Sequence, residues 1–143
     1  MQGDTGMTTN AGRVRVLIAD ARADVREALA ALLEATDDFE VIGEAASPEE
    51  AAARAPALRP DVILVDPCGE YHGALPQLAR DTKTLVILTL RVGTTCRARA
   101  RDLGALVIDK GTGPEDLLAI LRRACCPPQE DTRGAVPSPP AEP

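Results

Sequence analysis

Apolar and polar positions along the chain switch repeatedly between two periods. VRVLIAD (14–20) is a short apolar run, and the segment after it places Val25, Ala28, Leu29, Leu32 and Leu33 at i, i+3, i+4, i+7 and i+8, a helical stripe. FEVIGEA (39–45) alternates apolar and acidic residues, which predicts an edge strand with one wet face. SPEE (47–50) then opens a helix with Pro48 at its first position, and Ser47 and Glu50 have capping-box spacing. DVILVD (61–66) and TLVILT (84–89) are unbroken apolar runs, as expected of central parallel strands covered on both faces. Helices are predicted from Ala74 to Arg80 and from Thr95 to Leu103, the second stopped by Gly104. ALVIDK (105–110) reads as a fifth strand, and GPEDLLAILRRA (113–124) as a fifth helix with Pro114 and two acids in its first turn.

Five strands alternating with five helices imply an α/β fold whose parallel sheet is built from right-handed crossovers. The pattern assigns residues 13–124 to one domain. The Pro-rich stretch at 125–143 has almost no large apolar residue and is expected to be a disordered tail, as is the segment 1–12.

Composition narrows the function. The formal charge of −6 argues against a general nucleic-acid binder, which needs Lys and Arg to displace phosphate counterions. With only one Phe (Phe39) and one Tyr (Tyr71), base-stacking platforms are missing, and the core must be packed from aliphatic side chains. No pair among Cys68, Cys96, Cys125 and Cys126 has the two-residue gap of a zinc or redox motif, so free thiols are expected. The first residues show no export signal and no apolar run approaches the ~20 residues of a membrane span, so a cytoplasmic chain without membrane contact is expected.

The strand ends carry the chemistry. In doubly wound sheets a ligand site forms beyond the carboxyl ends of the strands. Four runs here finish as LIAD, ILVD, VILT and VIDK, which places Asp20, Asp66, Thr89 and Lys110 on one rim. Taken singly, each has an ordinary explanation: Asp20 as a helix cap, Asp66 as a turn opener, Thr89 as a strand former, Lys110 as a solvated cation. Together they suit phosphoryl transfer to a carboxylate, with Asp66 as the nucleophile. Mg²⁺ held by carboxylates, the Lys110 ammonium and the Thr89 hydroxyl would neutralise the phosphoryl oxygens. Other candidates are weaker. GTG (111–113) is too short for a phosphate-cradle fingerprint, and His72 lies in no recognisable triad. Arg97, Arg99 and Arg101 read as a solvated helix face.

VRVLIADARADVREALAALL, RPDVILVDP, LVILTL, DLGALVIDKG and PEDLLAIL resemble, in order and spacing, the receiver domains of bacterial two-component response regulators, and most closely those that precede a helix-turn-helix output domain. The resemblance spans Val14 to Ala124. It implies a flavodoxin-like five-stranded sheet of order 2-1-3-4-5, with Asp66 as phosphoacceptor, Thr89 as switch hydroxyl and Lys110 as the partner of the phosphoryl group. It also implies Mg²⁺ at Asp20, Asp66 and the backbone carbonyl of Cys68. The pattern is incomplete. The family's adjacent pair of acids is Asp20-Ala21 here, so two carboxylates against one ammonium leave the rim at −1, and Mg²⁺ is expected to be weak or absent. Glu70 and Asp24 are the acids placed to compensate. Val107 stands where the family has an aromatic switch residue.

The resemblance therefore implies a non-enzymatic phosphorelay receiver with weakened chemistry at Asp66, partnered by a sensor histidine kinase, with a homodimer left open. The alternative is a phosphorylation-independent pseudo-receiver acting as a protein–protein interaction module. A small-ligand binder at the rim is a third reading.

Overall fold

A computed structural model of the chain describes residues 12–67, 73–90 and 93–125. Ten elements alternate: β1 (Val14–Ala19), α1 (Ala23–Glu34), β2 (Phe39–Ala45), α2 (Pro48–Leu58), β3 (Val62–Val65), α3 (Ala74–Arg80), β4 (Thr84–Thr89), α4 (Thr94–Leu103), β5 (Leu106–Asp109) and α5 (Pro114–Cys125). The sheet has the order β2-β1-β3-β4-β5 and every pairing is parallel. This is the 2-1-3-4-5 arrangement expected from the sequence. Of the ends expected to be disordered, 1–12 and 125–143, residues 1–11 and 126–143 lie outside the described residues, as do Cys68, Glu70, Tyr71, His72 and Cys126, while Cys125 is not tail but the last residue of α5.

Two apolar layers sandwich the sheet. On one face Leu17, Ile63, Val65 and Ile87 pack under Ala51 and Ala55 of α2, Leu75 and Leu78 of α3, and Cys96 and Ala100 of α4. On the other face Val16, Ile18, Leu64 and Val86 pack under Leu33 of α1 and Leu117 and Leu121 of α5. Burial on both faces is why β3 has no polar residue and β4 has them only at its two ends, Thr84 and Thr89: all four residues of β3 are buried, and only Thr84 of β4 is not. Cys96 is buried and Cys125 half-buried.

Local chemistry sets the helix ends. The Glu50 N–H donates to Ser47 Oγ at 3.0 Å. The returning half of the capping box is displaced by one residue, because the Glu50 carboxylate accepts from Ala46 N at 2.8 Å. Gly104 closes α4 with φ 70, a left-handed conformation that L side chains resist. The edge strand β2 departs from expectation: only Glu44 is exposed along it, while Glu40, Val41, Ile42 and Gly43 are half-buried. The end of α2 leans over this edge, so a Cβ at Gly43 would lie 3.0 Å from Leu58 Cδ1. The β1–β2 register shifts between Val16 and Leu17, at the same point.

Candidate functional site

The chain leaves β1 to form β2 on one side and returns to form β3 on the other, so the topological switch point lies between β1 and β3. Asp20 follows β1 directly, and Asp66 follows β3. Their backbones are fixed as continuations of the parallel ladder: Asp20 N donates to Ala45 O and Asp66 N to Ala19 O, each at 3.0 Å. Lys110 follows β5, and its N–H donates to the Thr89 carbonyl at 2.9 Å, which ties the last residue of β4 to the same rim.

The three side chains meet. Lys110 Nζ lies 2.6 Å from Asp20 Oδ2 and 2.5 Å from Asp66 Oδ2, so one ammonium bridges both carboxylates. Asp20 is 3% exposed and Thr89 2%, the two buried polar or charged residues of the described chain. Burial alone would lower the pKa of the Lys110 ammonium, but hydrogen bonds and charge from Asp20 and Asp66 outweigh it and hold the group above its ordinary value. Asp20 is not the cap of α1, whose N-cap is Arg22 with no side-chain hydrogen bond; its Oδ1 instead accepts from Arg22 N at 2.9 Å, closing an Asx turn ahead of the helix.

A further residue shapes the rim. Arg26 Nη1 donates to the Asp20 carbonyl at 2.6 Å, and its Nε lies 3.3 Å from Glu44 Oε1 on the edge strand. This clamp joins α1, the end of β1 and the end of β2. Helical periodicity gives Arg26 the same weight as any polar position of α1, and no spacing in the sequence singles it out.

Several residues are placed elsewhere. Asp24 is exposed and pairs with Arg22 at 3.0 Å, which holds the Asp24 carboxyl below its ordinary pKa through that hydrogen bond. Asp109 turns from Lys110 and accepts from Gly111 N at 2.7 Å. Ala21 is exposed beside Asp20, and Arg97, Arg99 and Arg101 are exposed on α4. Glu70 and the Cys68 carbonyl fall outside the described residues.

Mg²⁺ is commonly held by one or two carboxylates, with water and substrate phosphate completing its octahedron. Asp20 and Asp66 supply those two and thus fit such an ion loosely. No group of three or more His, Cys, Asp or Glu that could hold a metal occurs among the described residues. Nor, among them, is any helix long and apolar enough to cross a membrane.

No protein-family model matches the chain. Over 109 residues it is 37% identical to a protein-glutamate methylesterase/protein-glutamine glutaminase 2 of Anaeromyxobacter dehalogenans, a match covering 73% of this chain and 32% of that protein. It is 33% identical over 116 residues to the response regulator protein VraR of Staphylococcus aureus, covering 77% of this chain and 56% of VraR. The chain thus spans only part of the curated relatives it matches. Among solved structures, the response regulator domain of Thermotoga maritima CheB superposes with a TM-score of 0.69 at 27% identity, covering 79% of this chain and 96% of that domain. Vibrio cholerae chemotaxis protein CheY4 superposes with a TM-score of 0.66 at 25% identity, covering 78% and 98%. In both proteins matched by sequence the aligned part is a fraction of the whole, whereas the solved receiver domains align almost end to end, and their likeness together with the sheet order places this chain in the receiver (CheY-like) domain family of two-component response regulators.

Proposed function

We propose that this receiver domain accepts a phosphoryl group at Asp66 from the phosphohistidine of a sensor kinase. The observation that carries the reading is the bridging of Asp66 and Asp20 by Lys110 at the switch point of the sheet. An Asp66 carboxylate oxygen would attack phosphorus as the P–N bond to the donor imidazole breaks, and the imidazole would keep the electron pair and take up a proton. Lys110 is placed to follow the charge, exchanging its contact with the Asp66 carboxylate for one with a phosphoryl oxygen. Thr89 lies buried on the neighbouring strand end, where its hydroxyl would serve as the donor that reports occupancy. Mg²⁺, when held by Asp20 and Asp66, would supply further charge neutralisation. With Ala21 in place of a second acid, that support is weaker than in a complete site.

One observation favours a second reading, a phosphorylation-independent interaction module. Lys110 already engages both carboxylates, and Ala21 offers no third ligand. Intact-mass spectrometry after exposure to acetyl phosphate and Mg²⁺ separates the two. A single phosphoryl adduct, absent in Asp66→Asn and lost in hydroxylamine, is the expected result. An unmodified chain under conditions that phosphorylate a complete receiver would support the interaction module instead.

A further inference from the structure

A cavity of about 610 Å³ lies at the amino edge of the sheet, where α2 and α3 end and β3 and β4 begin, opposite the rim that carries Asp20 and Asp66. Its lining holds three cations from three segments, Arg59 after α2, Arg80 at the end of α3 and Lys83 ahead of β4, against two acids, Asp61 and Asp81. In a chain of formal charge −6 this is a local reversal of the field. The acids are already engaged. Asp61 Oδ2 accepts from Arg15 N at 3.0 Å while its Oδ1 lies 3.4 Å from Lys83 Nζ, and Asp81 Oδ2 accepts from Gln77 Nε2 at 3.2 Å. The cations are freer: Arg59 and Arg80 form no ion pair among the described residues, and the Lys83 side chain is 83% exposed at its one loose contact.

The backbone adds a second observation. Arg59 has φ 55, a left-handed conformation that glycine usually occupies, and among the described residues it is the one non-glycine residue with positive φ. The carbonyl ends of α2 and α3 attract cations, but a cation inside the last turn serves that purpose without strain, as Arg80 does on α3. A long cationic side chain on strained backbone beside a cavity points to a ligand for its guanidinium. The segments that carry the cations are tied together, since Thr82 Oγ1 donates to Pro60 O at 3.1 Å and Thr84 N to Asp61 O at 3.1 Å. Such a frame holds charge in place before any ligand arrives. Two guanidinium forks and an ammonium match the oxygens of a phosphate group, and Ala55, Pro56 and Pro60 offer apolar surface to the rest of a ligand. The volume falls in the ~300–1,000 Å³ range of small-molecule sites.

We infer that this cavity binds a phosphate-bearing small molecule with at least two negative charges, held by Arg59, Arg80 and Lys83. The inference is independent of phosphate chemistry at Asp66, which lies at the other end of β3. Calorimetric titration of the full chain with inorganic pyrophosphate, in low-salt buffer free of Mg²⁺, tests it, and amide chemical shifts locate the site. One-to-one binding with a Kd below about 1 mM is expected, displacing the amide signals of Arg59, Thr82 and Lys83 and leaving those of Asp66 and Lys110 in place. Arg59→Gly suits the left-handed backbone and so keeps the fold. It and Lys83→Gln should each weaken binding at least about tenfold, the loss of a charge-assisted hydrogen bond, while Arg97→Gln on α4, outside the cavity, should not. Far-UV circular dichroism checks folding; should Lys83→Gln unfold, Arg59→Gly decides alone. ADP in place of pyrophosphate separates the sources: tighter binding of ADP at the same amides assigns the site to a nucleotide, and tighter binding of pyrophosphate to an inorganic polyphosphate. Absence of binding overturns the inference, as does an affinity that Arg97→Gln lowers as much as Arg59→Gly, or a set of shifts centred on Asp66 and Lys110.

Discussion

Replacing Lys110 by Met removes the ammonium that bridges Asp20 and Asp66 while keeping much of the side chain's volume. The two carboxylate oxygens that share this ammonium are then ~5 Å apart at most, and like charges at that spacing repel by about 3 kcal/mol at an effective dielectric constant of about 20. Loss of one partner from a buried ion pair costs a similar amount, roughly 3–5 kcal/mol. A domain of this size has about 5–15 kcal/mol in total, so the variant should remain folded but be visibly weakened. The chain has no Trp, and urea unfolding should be followed by far-UV circular dichroism. At pH 8 the loss should be about 3 kcal/mol. Adding Asp66→Asn to Lys110→Met should return most of the lost stability at pH 8. A loss below about 1 kcal/mol at pH 8 would refute the view that Lys110 neutralises the rim, since surface changes alone stay within about 0.5 kcal/mol.

Ala21→Asp should strengthen Mg²⁺ binding at least about tenfold, read by calorimetry or amide chemical shifts, while lowering metal-free stability through added negative charge at the rim; unchanged affinity would mean that Ala21 does not face the site. Because the pKa of Lys110 is raised above the ordinary 10.5, its contribution to stability should be fully present below that value and disappear as the pH climbs through the folded-state pKa. The alkaline fall in the urea midpoint should therefore be smaller in Lys110→Met than in the wild type. Gly43→Ala should cost about 1–3 kcal/mol, since the added methyl meets Leu58 Cδ1 at 3.0 Å; a neutral result in urea unfolding would show that α2 can shift away from the edge strand.

The sequence by itself determined the elements and their layering. Continuous apolar runs at 62–65 and 84–89 can be satisfied only with helices on both faces, and Pro48, Pro114 and Gly104 mark helix ends by backbone geometry that other residues adopt at a cost. It also brought Asp20, Asp66, Thr89 and Lys110 to one rim, because each follows or ends a strand and parallel strands share a carboxyl edge. Which groups touch was decided by the tertiary structure. The ammonium that bridges both acids comes from the edge strand β5, across β4 from Asp66, and no local spacing encodes a contact between residues 20, 66 and 110. Arg26 joins the site only because the start of α1 lies over the strand end, and Gly43 loses its room for a side chain only because the end of α2 leans over the edge strand. The apolar stripe of α1 reads like core in a one-dimensional pattern, yet Leu33 is its one fully buried residue. How much of the stripe is covered depends on where α5 settles, and side-chain periodicity fixes which residues share a face without fixing how far the neighbouring helix stands from it.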